Sequence, residues 1–286
     1  MQILTNPGWK DYELLDSGDG MRYERFGPYQ TIRPDPQAIW QPSLPKIDWQ
    51  DADVRFQRTH ADKGKWLFKR HLPEKWLMQW ENLSFWVKLT SFKHTGVFPE
   101  QSLQWDFIQK SITQTKQPVS VLNLFGYTGI ASIAAASAGA KVTHVDASKP
   151  SITWARDNQI ASKLQNKHIR WILDDAGKFV EREIKRGNTY DAIIMDPPVY
   201  GHGPTGQIWK FSEDFPKLFE QCTKLLSQQP LFIIVNAYAI SSSALMLGNV
   251  MSDFLPKGTL DVGELALEEK TSKRLLSTGI FARWHR

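Results

Sequence analysis

From residue 118 onward, short apolar runs alternate with segments whose apolar residues recur at helical spacing. VSVLNLF, KVTHVD, HIRWILDD, YDAIIMDPP and PLFIIVNAY read as five strands. IASIAAASAGA, PSITWARDNQIASKL, GKFVEREIKRG, residues 215–226 and ISSSALMLGNVMSDFL read as the helices around them. TLDVGELALEE and LLSTGIFARW predict a terminal antiparallel hairpin. Strand–helix alternation of this kind predicts an α/β fold, a mostly parallel sheet covered by helices on both faces.

The preceding stretch has another texture. Residues 1 to 50 are rich in Gly, Pro, Asp and aromatics, and YELLDSG and MRYERFGPYQTIRP are broken by turn signals. They predict small antiparallel β-structure. Further strands end near Phe98, and Trp105, Ile108 and Ile112 predict a helix over 101–112. TKQP, 115–118, reads as a junction. The expected organisation is therefore a β-rich module over 1–117, serving substrate recognition, and an α/β domain over 118–286.

Composition bounds the function. The 286 residues are 41% hydrophobic and 23% charged, as in globular proteins. No run approaches the ~18 apolar residues of a membrane span. The opening MQILTNPGWKDYELL has no basic segment followed by an apolar one, so no signal peptide and a cytoplasmic location are expected. A single cysteine, Cys222, excludes an internal disulfide and a cysteine-based metal cluster, and no metal is expected. Charge is uneven. Residues 54–76, VRFQRTHADKGKWLFKRHLPEKW, hold seven Lys/Arg against two Asp/Glu, which matches the net +5 of the whole chain. Phe56, Trp66, Phe68 and Trp76 are interleaved with these cations. Phosphate pairing plus base stacking holds single-stranded nucleic acid, so RNA is one reading. A solvated edge strand kept soluble by charge is the other.

Candidate chemistry lies at strand ends. Four carry polar signals: FGYTG, Asp146, Asp174–Asp175 and Asp196-Pro-Pro. In an open α/β sheet, ligands bind outside the strands' carboxyl ends at the topological switch point. A strand–glycine turn–helix unit places backbone N–H groups near a ligand, and glycine permits close approach. Asp146 is placed to accept from a ribose diol, and Asp175 from an adenine amino group. The turn has neither G-x-G-x-x-G nor the Lys-Ser/Thr of a phosphate loop, so a nucleoside is expected rather than a pyrophosphate. In DPPVYG the prolines fix the backbone, presenting the Asp196 carboxylate and the Asp196 and Pro197 carbonyls, with Tyr200 free to stack on a ring. The alternative is a strand-ending turn with a capping Asp.

On NLFGYTG, VDAS, DDAGKFV, DPPVYG and HTGVFPEQ, the chain resembles class I S-adenosylmethionine-dependent methyltransferases. More narrowly it resembles the group that modifies cytosine carbon 5 or guanine nitrogen 7 of large-subunit ribosomal RNA, over residues 85–286. The resemblance implies a Rossmann-like methyltransferase domain, S-adenosylmethionine as cofactor and S-adenosylhomocysteine as product. It implies that Asn123, Phe125, Gly126, Tyr127, Thr128 and Gly129 wrap the methionine part, that Asp146, Ala147 and Ser148 form the ribose site, and that Asp175 and Ala176 form the adenine site. Asp196, Pro197, Pro198 and Tyr200 match the catalytic segment between sulfonium and target atom. Phe98, Pro99 and Gln101 match a segment reaching over the cofactor; an interdomain turn is the other reading of HTGVFPEQ.

One departure matters. Cytosine carbon-5 methylation needs a cysteine nucleophile, and DPPVYGHG and NAYAISS contain none. Cys222 shares a helical face with Phe215, Leu218, Phe219, Leu225 and Leu226 and reads as core. Direct in-line attack by a nitrogen of an RNA base fits better. His202 and His94 are the nearest candidate bases, and residues 201–211 read as a mobile substrate loop. A methyltransferase for a small molecule or protein side chain, a nucleoside-binding module without turnover and a dinucleotide-dependent oxidoreductase are the competing readings. Oligomeric state is left open.

Overall fold

Predominantly apolar runs such as Ala192–Met195 and Phe232–Ala237 become strands buried on both faces. The computed structural model describes residues 1–5, 8–60, 63–202, 208–238 and 242–286, with backbone alone at His60 and His202. In chain order the elements begin with β1 (Gln2–Thr5), β2 (Tyr12–Gly18), β3 (Met21–Phe26), β4 (Tyr29–Pro34), α1 (Lys46–Trp49), β5 (Val54–His60), β6 (Lys63–Phe68), β7 (Trp76–Trp80) and β8 (Leu83–Val87). A 3-10 turn, Pro99–Gln101, precedes α2 (Ser102–Gln114). Then come β9 (Ser120–Leu124), α3 (Ile130–Ser137), β10 (Lys141–Asp146), α4 (Lys149–Ala161), β11 (Ile169–Leu173), α5 (Ala176–Arg186) and β12 (Ala192–Met195). The chain ends with β13 (Tyr200–His202), β14 (Ile208–Lys210), α6 (Phe211–Thr223), β15 (Phe232–Ala237), α7 (Ala244–Ser252), β16 (Thr259–Glu268) and β17 (Leu275–His285).

These elements group into two compact units: one of Met1–Leu4, Leu103–Leu265 and Gly279–Arg286, the other of Thr5–Ser102 and Ala266–Thr278. In the first, eight strands run in the order β1-β16-β17-β15-β12-β9-β10-β11. β9 through β12 and β15 are parallel, and β17 returns antiparallel to β15. Strand alternation divides the core between two faces. Leu122, Leu124, Ile193 and Met195 pack with Phe179, Phe215 and Leu247 of α5, α6 and α7. Val121, Ile194 and Ile234 pack with Ile108 and Ile112 of α2 and Ala135 of α3. Each fully buried Leu, Ile or Phe stabilises by about 1.5–3 kcal/mol. The expected α/β architecture is therefore the observed one. Strand β1 and the β13–β14 hairpin are additions that the apolar pattern did not predict.

The second unit holds a five-stranded sheet, β2-β3-β4-β5-β6, and the β7–β8 hairpin. β2 to β4 form the expected antiparallel meander, and β5 joins β4 in parallel. One face buries an ionic cluster. Arg33 grips Glu24 with Nε at 2.7 Å and Nη2 at 2.8 Å, and Tyr12 donates to the same carboxylate at 2.8 Å. Buried charges persist only when paired and hydrogen-bonded in this way. Among the described residues, no helix is long and apolar enough to cross a membrane.

Candidate active site

Register brings the strand-end signals to one rim of the first unit. Leu124 lies opposite Met195 and Val145, and Asp146 lies opposite Leu173. The residues that follow, FGYTG, Ala147-Ser148, Asp174-Asp175 and Asp196-Pro197-Pro198, therefore leave adjacent strands at the same end. Connections from β9 run through β10 to β11 on one side, and β12 passes to β15 on the other. The glycine turn and the DPP segment thus flank the topological switch point, where open α/β sheets bind ligands.

The turn is built from left-handed backbone. Phe125 and Tyr127 have φ of 56° and 50°, and Gly129 has 79°. Left-handed non-glycine residues store about 1–2 kcal/mol each and persist only where surroundings hold them. Here the Gly126 N–H donates to the Val145 carbonyl at 3.1 Å, the Tyr127 N–H to Asp146 Oδ2 at 2.8 Å, and the Gly129 N–H to the Gly126 carbonyl at 2.9 Å. These three donors are engaged within the protein and hold the turn in shape. The glycines likewise answer to packing. A Cβ on Gly126 would sit 2.3 Å from the His144 ring, and one on Gly129 2.8 Å from the Ala155 methyl.

Asp146 accepts from Tyr127 N–H on one oxygen and from Ser148 N–H on the other, each at 2.8 Å. A carboxylate oxygen has two acceptor sites, so one on each oxygen stays open to a ribose diol. Burial raises the Asp146 carboxyl above the ordinary aspartate value, and the two amides oppose that rise. Ser148 caps α4, accepting from Ser151 N–H, and Ala147 is exposed beside it. Asp175 caps α5, accepting from Lys178 N–H at 3.0 Å, and Ala176 is buried as that helix's first residue. Asp174 is paired with Arg182. Thr128 is buried, its carbonyl taking the Asn158 amide at 2.9 Å. Asn123 is buried under the turn, donating to Ser132 Oγ at 2.9 Å.

Asp196 is half-buried, Pro197 buried, and Pro198 and Tyr200 exposed. Trp209, which sequence reasoning passed over, ties this segment down. Its Nε1–H donates to the Pro198 carbonyl at 2.6 Å, and its ring lies 5.3 Å from that of Phe125. The β13–β14 pairing, Gly201 opposite Trp209, sets it there. The only available signal was the aromatic pair in IWKF after a glycine-rich stretch. Residues 203–207 of the predicted loop, and the His202 side chain named as a candidate base, lie outside the described residues. Phe98, Pro99 and Gln101 belong to the second unit, at the 3-10 turn; Pro99 is buried, and the Phe98 ring lies 5.5 Å from that of His94. Among the described residues there is no His/Cys/Asp/Glu group able to hold a metal.

His144 is a second feature that the motifs did not indicate. It is fully buried beneath Gly126, with Nδ1 2.9 Å from Ser132 Oγ and its ring 4.7 Å from that of Trp171. Burial pulls its pKa down to about 3. The unfolded chain takes up this proton near pH 6.5; the folded chain does not until about pH 3. The stability tied to neutral His144 is thus fully present above pH 6.5 and falls on acidification, by about 1.4 kcal/mol per pH unit. Urea unfolding between pH 7 and pH 4 should show a stability slope that is one proton smaller in His144→Asn than in wild type. An equal slope in both proteins would place the proton uptake elsewhere.

The acceptor set, carboxylates and carbonyls with aromatic rings, fits a nucleoside that donates through hydroxyls and an amine and carries positive charge. Comparison with known proteins agrees. The family model for S-adenosylmethionine-dependent methyltransferases matches residues 49–252. The chain is similar to the crystal structure of an S-adenosylmethionine-dependent methyltransferase from Agrobacterium tumefaciens: 40% identity, TM-score 0.96, covering 100% of this chain and 93% of that one. It is 23% identical over 228 residues to ribosomal RNA large subunit methyltransferase K of Neisseria meningitidis, covering 77% of this chain and 63% of that protein. It is 34% identical over 145 residues to ribosomal RNA large subunit methyltransferase K/L of Shewanella baltica, covering 50% of this chain and 20% of that protein. The chain thus spans less than two thirds of the length of either curated relative.

Proposed function

This chain belongs to the S-adenosylmethionine-dependent methyltransferase family, and from that premise we propose that it methylates a nitrogen of a ribosomal RNA base by direct transfer. The observation that carries the choice of nitrogen is the place of Cys222. It is fully buried among Phe215, Leu218, Phe219 and Leu225, and burial pushes its thiol far up. A thiol so placed is inert, and carbon-5 chemistry needs a thiolate at the ring. Support for RNA as substrate comes from the names of the two curated relatives.

S-adenosylmethionine supplies an electrophilic methyl on a sulfonium. Asp146 would hold the ribose, Asp175 and Ala176 the adenine, and residues 125–129 the methionine part. The Asp196 carboxylate and Pro197 carbonyl accept from the target amine and aim its lone pair, while Tyr200 stacks on the base. With the cofactor bound, the methyl would pass to the amine nitrogen with S-adenosylhomocysteine as leaving group, and the nitrogen's proton would go to the Asp196 carboxylate or to solvent. Positioning is the main catalytic device, since in-line alignment alone supplies a large part of such a barrier reduction. The cytoplasm, where ribosomes are methylated, is the compartment we assign.

Calorimetry should show S-adenosylhomocysteine binding and negligible NAD binding. Nucleoside mass spectrometry of ribosomal RNA from a strain lacking this chain should show one N-methylated nucleoside missing. An unchanged nucleoside profile would end the RNA reading, and loss of 5-methylcytidine would end direct transfer.

A further inference from the structure

The basic segment behaves differently in three dimensions from the stacking platform its sequence suggests. Strand alternation turns Phe56 inward, 3% exposed, and Trp76 is buried at 6%. Trp66 is half-buried, with Nε1–H on the Thr90 carbonyl at 2.7 Å and its ring 5.1 Å from Phe56. Phe68 alone of the four aromatics is exposed. Three cations are also engaged: Lys69 with Asp51 at 3.0 Å, Arg70 with Asp53, and Lys75 over the Trp86 ring at 4.5 Å.

Arg55, Arg58, Lys63 and Lys65 remain. All four are exposed on β5 and β6 and make no ion pair with another described residue. Cross-strand register sets Gln57 opposite Lys65 and Arg55 opposite Leu67. Beside them lies a shallow groove of about 460 Å³, walled by Pro34, Met21 and Leu67 and edged by Arg55, Gln57 and Arg58. Lys93 reaches the same wall, its Nζ–H donating to the Pro34 carbonyl at 3.3 Å.

We infer that this cationic hairpin and its groove track the phosphodiester backbone of the RNA substrate, by charge and without reading bases. The inference rests on the RNA reading above and adds how that RNA is held. The four exposed cations make no ion pair with another described residue, and a polyanion complements them. Two half-buried neighbours, Lys93 and His94, have lowered pKa values, with desolvation the main cause and the arginines of β3 and β4 the next. Burial, reinforced by Arg22, Arg33 and Arg58, lowers Lys93 to about 8. Burial, reinforced by Arg33, Lys93 and Arg22, lowers His94 to about 3. With three of the segment's four aromatics turned inward or held by backbone, stacking cannot supply the specificity. The backbone contact is then sequence-independent, as phosphate contacts are.

The test is anisotropy of two fluorescently labelled oligoribonucleotides of unrelated sequence, titrated with the full chain from low to moderate salt. The variant is Arg55→Gln/Arg58→Gln/Lys63→Gln/Lys65→Gln. Each lost phosphate contact on a single strand reduces the slope of log K against log salt by about 0.7, so the fourfold variant should be shallower by roughly 3. Both sequences should respond alike. S-adenosylhomocysteine affinity and thermal midpoint should be unchanged, which separates lost contact from lost folding. An unchanged slope in the folded variant, or a loss confined to one sequence, overturns the inference and leaves the RNA reading standing. Wild-type chain that binds neither RNA, or binds phosphatidylserine vesicles in preference, overturns both.

Discussion

Asp196→Ala is expected to lower kcat/KM for methyl transfer by at least about a hundredfold, the scale of removing one preorganised polar group from a reacting centre. S-adenosylhomocysteine affinity should stay within tenfold. The separation follows from strand order. The groups assigned to the cofactor leave β9, β10 and β11, whereas Asp196 leaves β12 on the far side of the switch point. Its backbone is fixed by two prolines and by Trp209 on the Pro198 carbonyl, so deleting the carboxylate leaves the segment in place. Asp196→Asn retains an acceptor but loses the charge and should fall between wild type and alanine. Single-turnover transfer with labelled S-adenosylmethionine measures the chemistry, and calorimetry measures the binding. Transfer within threefold of wild type in Asp196→Ala would return DPP to a plain strand-ending turn.

Much of this arrangement was legible in the residues, because the physics that builds it is local. VSVLNLF, YDAIIMDPP and PLFIIVNAY are apolar without alternation, as strands buried on both faces must be. The face of α6 carrying Phe215, Leu218, Phe219 and Cys222 follows helical period, which is why its cysteine could be assigned to the core. What escaped depends on partners distant in sequence. Strand β1 is four residues long and is defined by pairing with β16. The β13–β14 hairpin is defined by Gly201 facing Trp209. Period two was present in residues 54–58, where Phe56 alternates with Arg55 and Gln57; it, rather than composition, decides which side chains meet solvent. The hydrogen bonds that hold the turn escaped as well, because their acceptors, Val145 and Asp146, lie on another strand.

Gly126→Ala should damage both the fold and the cofactor turn. The added Cβ would stand 2.3 Å from His144 Cε1 and 2.5 Å from Nδ1. That ring cannot withdraw: it is fully buried, held by Ser132 Oγ at 2.9 Å and wedged by Trp171. The alternative is movement of the turn, which breaks the Gly126 N–H bond to Val145 and shifts Tyr127 from Asp146. Overpacking of a closed core costs about 1–3 kcal/mol, and losing a bond of this kind adds about 1. Thermal and urea unfolding should therefore show a loss of roughly 2–4 kcal/mol. S-adenosylhomocysteine affinity should fall further than stability alone explains, since the displaced turn carries Phe125 and Asp146's amide partner. His144→Ala, which vacates the collision, should recover part of both losses in the double variant. A favourable coupling of about 1 kcal/mol or more is the expected signature of a direct contact. Strict additivity, or a Gly126→Ala protein as stable as wild type, would show that His144 does not support the turn and that glycine is required there for some other reason.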